Sequence, residues 1–169
     1  MGNIILCGFM GCGKTTVGNA LAQLSRRPLV DTDALIIQEA GISINEIFSR
    51  YGESHFRDLE HKICCNISSQ DELIVSTGGG ALTYERNAQA LKLNGGKIFL
   101  LDVPVEIIEE RLRNDTTRPL LNVPNRREIL QKLYHQRLPL YRACADYIID
   151  ASLSPQDTAL NIMQLAGIS

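Results

Sequence analysis

Short apolar runs alternate with amphipathic stretches from one end of the chain to the other. Ile4-Ile5-Leu6-Cys7 is apolar at every position, the pattern of a strand buried on both faces. Val17, Ala20, Leu21 and Leu24 follow at i, i+3, i+4 and i+7, one stripe of a helix. Leu29-Val30 makes a second short strand ending in Asp31, and a helix is expected over about Asp33 to Ala40. Ser43 with Glu46 three residues on has the form of a capping box, so another helix opens there. Residues 54–68 are helical in composition. Leu73-Ile74-Val75 reads as a third strand, ended by Gly78-Gly79-Gly80, with a helix over Tyr84 to Leu93. Lys97 to Leu101 forms a fourth strand, and Pro104 sits at a helix start with Ile107, Ile108 and Leu112 inward. Residues 114–125 are polar, contain Pro119 and Pro124, and read as a loop. Ile129, Leu130 and Leu133 mark a helix, and Arg137-Leu138-Pro139-Leu140-Tyr141 is placed at a helix end. Tyr147-Ile148-Ile149 is a fifth strand, and Ser154-Pro155 caps a last helix with Ala159, Ile162, Met163 and Ala166 inside.

Strands apolar on both faces and alternating with helices predict an α/β fold with a parallel sheet covered on both sides. Ligands then bind beyond the carboxyl ends of the strands. The 169 residues suit a single domain, 1–169. An apolar content of 44% with 21% charged residues excludes wholesale disorder. A net charge of −2 offers no basic excess for nucleic acid, and 5% aromatics with no Trp offer no stacking platform, so no nucleic-acid partner is expected. No apolar run approaches the length of a membrane span, and no basic segment precedes the first apolar run. The five Cys, at 7, 12, 64, 65 and 144, include no CxxC pair and read as free thiols in a reducing compartment, so a cytoplasmic location is expected. The three His, at 55, 61 and 135, have no zinc spacing.

Candidate chemistry begins directly after the first strand. Gly8-Phe9-Met10-Gly11-Cys12-Gly13-Lys14-Thr15 matches G-x-x-x-x-G-K-[ST], with a strand before it and a helix after it. Glycines let backbone N–H groups turn inward around a phosphate, and the helix N-terminus aims its positive end at the same place. Lys14 is expected to reach the β- and γ-phosphates of a nucleotide, and the Thr15 hydroxyl to ligate Mg²⁺. Cys12 occupies a free position of the loop, and its thiol is expected to be inert. No N-K-x-D run for guanine occurs, so a small α/β chain with this loop reads as an ATP-dependent kinase of a small molecule.

The remaining polar residues suggest an acceptor site. Asp31 and Asp33 stand at the end of the second strand, where one can hold the water shell of Mg²⁺ and the other can take a proton from a hydroxyl. A helix N-cap is the plainer role for Asp33. Arg57 and Glu60 share a helix face, and an ordinary surface ion pair would also explain them. Thr77-Gly78-Gly79-Gly80 after a buried strand suggests close approach of backbone to ligand, or a simple turn. Arg118 lies in the polar segment about 114–125, which is expected to be a mobile lid. Arg57 and Arg137 together can fork around a carboxylate, while Asp33 and the glycine backbone bind hydroxyls. That set describes a small anionic polyol as phosphoryl acceptor, with the acceptor-binding region at about 33–61.

GFMGCGKTTVG, DTD, FRDLE, STGGG, RPLL and RLPLY, in this order and spacing, resemble the shikimate kinase family over about residues 4–150. The resemblance implies a P-loop NTPase fold of the nucleoside-monophosphate-kinase type, five parallel strands in order 2-3-1-4-5 flanked by helices. It also implies MgATP-dependent phosphorylation of the 3-hydroxyl of shikimate, giving shikimate 3-phosphate and ADP on the way to chorismate and aromatic amino acids. Asp33, Arg57, Gly78, Gly79, Gly80 and Arg137 would then contact shikimate. Gly11, Cys12, Gly13, Lys14, Thr15 and Thr16 would cradle the ATP phosphates, Arg111 would flank the adenine, and Arg118 would come from the lid. Lys14, Asp33 and Arg118 would be the catalytic residues, Thr15 and Asp31 the Mg²⁺ side, and the chain would act as a monomer. Ser154 departs from the Arg or Gln that many members carry beside the adenine. A gluconate-type or nucleoside-monophosphate kinase shares the phosphate loop and lid, but the Arg57–Arg137 pair and the triple glycine argue against both. A nucleotide-binding regulatory module that has lost transfer is the other alternative, against which Lys14, Thr15, Asp33 and Arg118 argue.

Overall fold

Four fully apolar positions, Ile4–Cys7, form strand β1 at the centre of a parallel sheet, every one of them buried. The computed structural model describes residues 2–118 and 121–169. Along them run α1 (Lys14–Ser25), β2 (Leu29–Asp31), α2 (Thr32–Ala40), α3 (Ile44–Ser68), β3 (Ile74–Ser76), α4 (Glu85–Lys92), β4 (Lys97–Asp102), α5 (Val105–Leu112), α6 (Arg126–Cys144), β5 (Tyr147–Asp150) and α7 (Pro155–Ala166). Single 3₁₀ turns occupy Ala81–Thr83 and Leu93–Gly95. The strands pair in the order β2-β3-β1-β4-β5, all in parallel, as expected from the resemblance. Helices α1 and α7 pack together, as do α3 with α4 and α2 with α3. One apolar core joins β1, β3 and β4 to the inner faces of these helices, with Ile5, Leu6, Ile74, Val75, Ile98 and Phe99 wholly buried.

Local chemistry explains most boundaries. Helix α1 starts after Gly13 in a left-handed conformation (φ 97°), and no side chain caps its first N–H groups. Ser43 Oγ accepts from the Glu46 N–H at 3.1 Å and also meets Glu46 Oε1, so only half of the expected box forms. The two helices read from 43 and from 54–68 are one element, α3, broken at Gly52 (φ 85°, ψ 172°). Asn3 stitches α3 to β3, its Nδ2 donating to the carbonyls of Ile67 and Gln70 and its Oδ1 accepting from the Leu73 N–H.

Two expectations are corrected. The third strand runs 74–76 rather than 73–75, which carries Ser76 into the sheet and places Thr77 directly at its end. Arg137 is not at a helix end, because α6 continues through Pro139 to Cys144. Proline in a helix interior loses one hydrogen bond to the residue four before it. Burial of Leu130, Tyr134 and Tyr141 along one side of α6 offsets that loss.

The sheet hands its carboxyl ends to the polar residues. Thr77 Oγ1 donates to the Leu6 carbonyl at 2.8 Å, joining the end of β3 to the end of β1. The Gly78 N–H donates to Thr32 Oγ1 at 2.8 Å, and Thr32 is fully buried at the start of α2. This bond sets the glycine turn against α2. Thr32→Val keeps shape but leaves the Gly78 N–H without its acceptor. It is expected to cost about 1–3 kcal/mol, read as a lowered urea midpoint with unchanged slope.

Candidate active site

Beyond the strand ends lies a cleft of about 850 Å³, lined by the phosphate loop, α2, α3, the turn after β3, α6 and the segment around Arg118. Its size suits a small-molecule site. At one end the phosphate loop wraps from Gly8 to Thr15, with Gly11 (φ 77°) and Gly13 (φ 97°) in the left-handed region that side chains resist. The side chain of Lys14 folds back, Nζ donating to the Gly8 carbonyl and, at 3.3 Å, to the Phe9 carbonyl. Cys12 is buried with its Sγ 3.7 Å from Lys14 Nζ, so its thiol faces the loop interior. Arg111 Nη1 donates to the Gly11 carbonyl at 2.9 Å and flanks the loop on its α5 side. The wall beyond Arg111 is apolar, made by Ala151, Leu153 and Pro155.

At the other end three successive glycines meet three charged side chains. A Cβ on Gly78 would lie 2.5 Å from Asp33 Oδ1, one on Gly79 3.1 Å from Arg137 Nη1, and one on Gly80 2.7 Å from Arg57 Nη1. Side chains at 78 and 80 would therefore displace the charges. The sequence suggested close backbone approach at this turn; the neighbours that come close are the protein's own charged groups. Tyr141 Oη donates to the Gly79 carbonyl, one helical turn beyond Arg137 on α6.

The Arg57 guanidinium is held from behind. Arg57 Nη1 donates to Glu60 Oε1 at 3.0 Å, with Glu60 only 1% exposed. Its Nε lies 3.6 Å from Glu53, and its guanidinium packs over the rings of Phe56 and Tyr84. This is a desolvated pair, not the exposed one that the i, i+3 spacing equally allowed. Burial pushes the Glu60 carboxyl upward, while Arg57 opposes the shift. Asp31 is the N-cap of α2, its Oδ1 accepting from the Ala34 N–H at 3.1 Å. The capping role considered for Asp33 thus falls to Asp31, and Asp33 in the first turn is left to face the cleft. Burial raises the Asp33 carboxyl above its ordinary value of 3.8, the Asp31 charge adds to this, and Lys14 and Arg57 work against it.

Residues 10–166 match the family model for shikimate kinase. A shikimate kinase of Thermodesulfovibrio yellowstonii is 41% identical over 97% of this chain and 94% of its own length. One of Geobacter sulfurreducens is 44% identical over 95% and 88% respectively. The chain belongs to the shikimate kinase family. Among solved structures, the shikimate kinase of Acinetobacter baumannii in complex with shikimate superposes with a TM-score of 0.88 at 40% identity, covering 98% of this chain and 93% of that one.

Within this shikimate kinase fold, Gly11 to Thr16, Asp31, Asp33, Arg57, Gly78 to Gly80, Arg111, Arg118 and Arg137 all line the one cleft. Arg118 pairs loosely with Asp115, Nε to Oδ2 at 3.4 Å. Asp115 Oδ1 also accepts from the Thr117 N–H and hydroxyl, making a small turn ahead of Arg118. Pro119 and Leu120, the middle of the RPLL run, lie outside the described residues. Ser154 Oγ accepts from the Asp157 N–H at 3.1 Å, so it caps α7 as read. Sequence reasoning missed the apolar wall of Ala151, Leu153 and Pro155, and the positions Ile44, Phe48 and Phe56. The Phe residues carried a signal in their spacing on α3, but apolar residues there read equally as core.

The Asp33 environment has a testable sign. A carboxyl raised on folding contributes stability that is full below its unfolded value and is lost as pH rises through the folded one. Followed by NMR in the ligand-free protein, the Asp33 carboxyl should titrate above 3.8. Asp31→Asn keeps a capping oxygen but removes a raising charge, so the midpoint should fall. Arg57→Met removes a lowering charge, so it should rise.

Proposed function

We propose that this chain transfers the γ-phosphoryl group of ATP to the 3-hydroxyl of shikimate, releasing ADP. The observation that carries this reading is the floor of three glycines set against Asp33, Arg137 and Arg57 in the same cleft as a phosphate loop. Two guanidinium groups, one from α3 and one from α6, set against neighbouring glycines of one turn match a carboxylate, whose fork geometry arginine meets with paired hydrogen bonds. Asp33 and the glycine backbone match the ring hydroxyls.

At the nucleotide end, the uncapped N-terminus of α1 and the left-handed Gly11 and Gly13 fit a polyphosphate. The adenine would lie between Arg111 and the apolar wall of Leu153 and Pro155. No cluster of three or more His, Cys, Asp or Glu suited to a metal occurs among the described residues. Mg²⁺ suits such a site, since it binds through few protein oxygens together with phosphates and water. The Thr15 hydroxyl would hold it directly, and Asp31 through water. When bound, Mg²⁺ neutralises charge on the β- and γ-phosphates.

Asp33 accepts the hydroxyl proton as the acceptor oxygen bonds to the γ-phosphorus and the bond to the β-phosphate oxygen breaks. A carboxyl raised by burial is a better base than an exposed one. Lys14 leaves the Gly8 carbonyl for the phosphates. Arg118 closes from the lid, about 114–125, onto the transferring group and excludes water. On this reading the chain acts as a monomer. Cys7, Cys12, Cys64, Cys65 and Cys144 are all free, which supports a reducing, cytoplasmic setting. Among the described residues no helix is long and apolar enough to cross a membrane.

Coupled ADP release should require both Mg²⁺ and shikimate. Turnover with gluconate or AMP and none with shikimate would overturn the reading. Arg137→Ala should weaken shikimate binding by about 2–5 kcal/mol in calorimetry, with ATP binding nearly unchanged. Arg118→Ala should lower kcat by on the order of 10³ at saturating substrates, with little change in ATP affinity, because its contact forms in the closed, reacting state.

A further inference from the structure

Behind the glycine turn and Arg57 lies a polar side chain that no step above uses. Asn87 sits on α4 and is 1% exposed, a burial an amide tolerates when its groups are bonded. Its Nδ2 donates to the Ala81 carbonyl at 2.9 Å and, at 3.5 Å, to Glu60 Oε1. Its Oδ1 lies 3.0 Å from His61 Nδ1. With Nδ2 aimed at two acceptors, Oδ1 must accept, so the imidazole donates there. The two acceptors thereby fix which way the amide faces, and His61 completes its bonding.

Both partners of Nδ2 belong to the acceptor end of the cleft. Ala81 directly follows Gly80. Glu60 Oε1 is the same oxygen that receives Arg57 Nη1. Asn87 is therefore bonded at once to the turn that carries Gly80 and to the carboxylate that aims Arg57. The spacing it spans is already tight, since a Cβ on Gly80 would meet Arg57 Nη1 at 2.7 Å. A shift of α3 against the turn would change how far the guanidinium stands from the glycine backbone. These bonds lie on the α3–α4 side of the cleft, away from the phosphate loop.

We propose that Asn87 is a positioning residue for the phosphoryl acceptor, setting the separation between the glycine turn and the Arg57 guanidinium through Ala81 and Glu60. The inference rests on the reading of Arg57 and residues 78–80 as the shikimate end of the cleft. A residue that merely stitches α3 to α4 would, when lost, weaken the whole cleft. A positioning residue acts on one substrate and acts through Glu60.

The test compares wild type, Asn87→Leu, Asn87→Ser, Glu60→Gln and the Asn87→Leu/Glu60→Gln double variant. Asn87→Ser is the milder change should the larger one unfold the chain. Calorimetry gives shikimate and ATP affinities, and steady-state kinetics give kcat. Asn87→Leu removes the 2.9 Å bond to the Ala81 carbonyl and the longer 3.5 Å contact to Glu60. A loss on the scale of one hydrogen bond is a factor of roughly ten, so shikimate binding should weaken by about that factor. ATP affinity should stay within about two-fold, and kcat should fall less than shikimate affinity does. The double variant should bind shikimate no worse than the poorer single variant, the non-additivity expected of residues acting in one network. Equal losses for ATP and shikimate, or additive losses in the double variant, would overturn the proposal. Wild type that turns over shikimate while both Asn87 variants bind it normally overturns the Asn87 inference alone. Wild type that neither binds nor phosphorylates shikimate overturns the reading of the cleft on which it rests.

Discussion

The missing Cβ atoms of Gly78 and Gly80 make the room in which the charged end of the cleft is packed. The peptide units of 78–80 run so close to Asp33, Arg137 and Arg57 that side chains at 78 and 80 would strike them. What glycine supplies here is room: φ is −97° at Gly80, a value any residue adopts. The turn itself would be floppy if left alone, because glycine loses the most conformational freedom on folding. It is tied at each end instead. Thr77 fastens its start to β1, the Thr32 hydroxyl takes the Gly78 N–H, Tyr141 holds the Gly79 carbonyl, and Asn87 holds the Ala81 carbonyl. Each tie comes from a different element, so the turn is positioned by the packing of the whole sheet end.

That arrangement explains what could be read from the chain in advance and what could not. The runs 4–7, 97–101 and 147–149 fell close to strands because three to five mostly apolar residues between turn signals are too few for a helix. The phosphate loop was legible because its geometry is local: glycines, a lysine and a helix start within eight residues. The ordered motif set also pointed to residues that line one cleft, but only as a set. Partnerships were less visible. Whether Arg57 and Glu60 form a wet surface pair or a dry one depends on what α4 and the glycine turn place over them, and nothing in FRDLE says so. Asp31 and Asp33 look equivalent in DTD, and the choice of cap depends on where α2 begins. Pro139 pointed to a helix end by its local cost, which the buried side of α6 outweighed.

The buried carboxylates show how the cleft trades stability for chemistry. Glu60 and Asp33 are both taken out of water, and both are raised by that burial. A carboxylate held this way weakens the fold unless a cation offsets it. Arg57 offsets part of that cost for both, lowering each while burial keeps each raised. Glu60 has Arg57 in direct contact and stays an anchor. Asp33 feels the charges of Lys14 and Arg57, which lower it, and still remains raised by its burial and by Asp31. The same cation therefore bonds one of the two buried carboxylates directly and acts on the other only through its charge.

Helix α6 brings the last element of this logic. Arg137 and Tyr141 are four residues apart and so share one helix face. Both face Gly79, the tyrosine hydroxyl bonded to its carbonyl and the guanidinium beside its Cα. Burial raises the Tyr141 hydroxyl, which keeps it a neutral donor to that carbonyl. Pro139 lies between the two and removes a hydrogen bond that α6 would otherwise make to the His135 carbonyl. A helix weakened at that point would fray were it held only by propensity. Tyr141 buries its ring completely and Tyr134 nearly so, the latter donating its hydroxyl to the Val103 carbonyl at 3.1 Å. The two anchors bracket both Arg137 and Pro139. The guanidinium thus stands beside the glycine turn, half-buried in the cleft, with a packed tyrosine on either side of it along the helix.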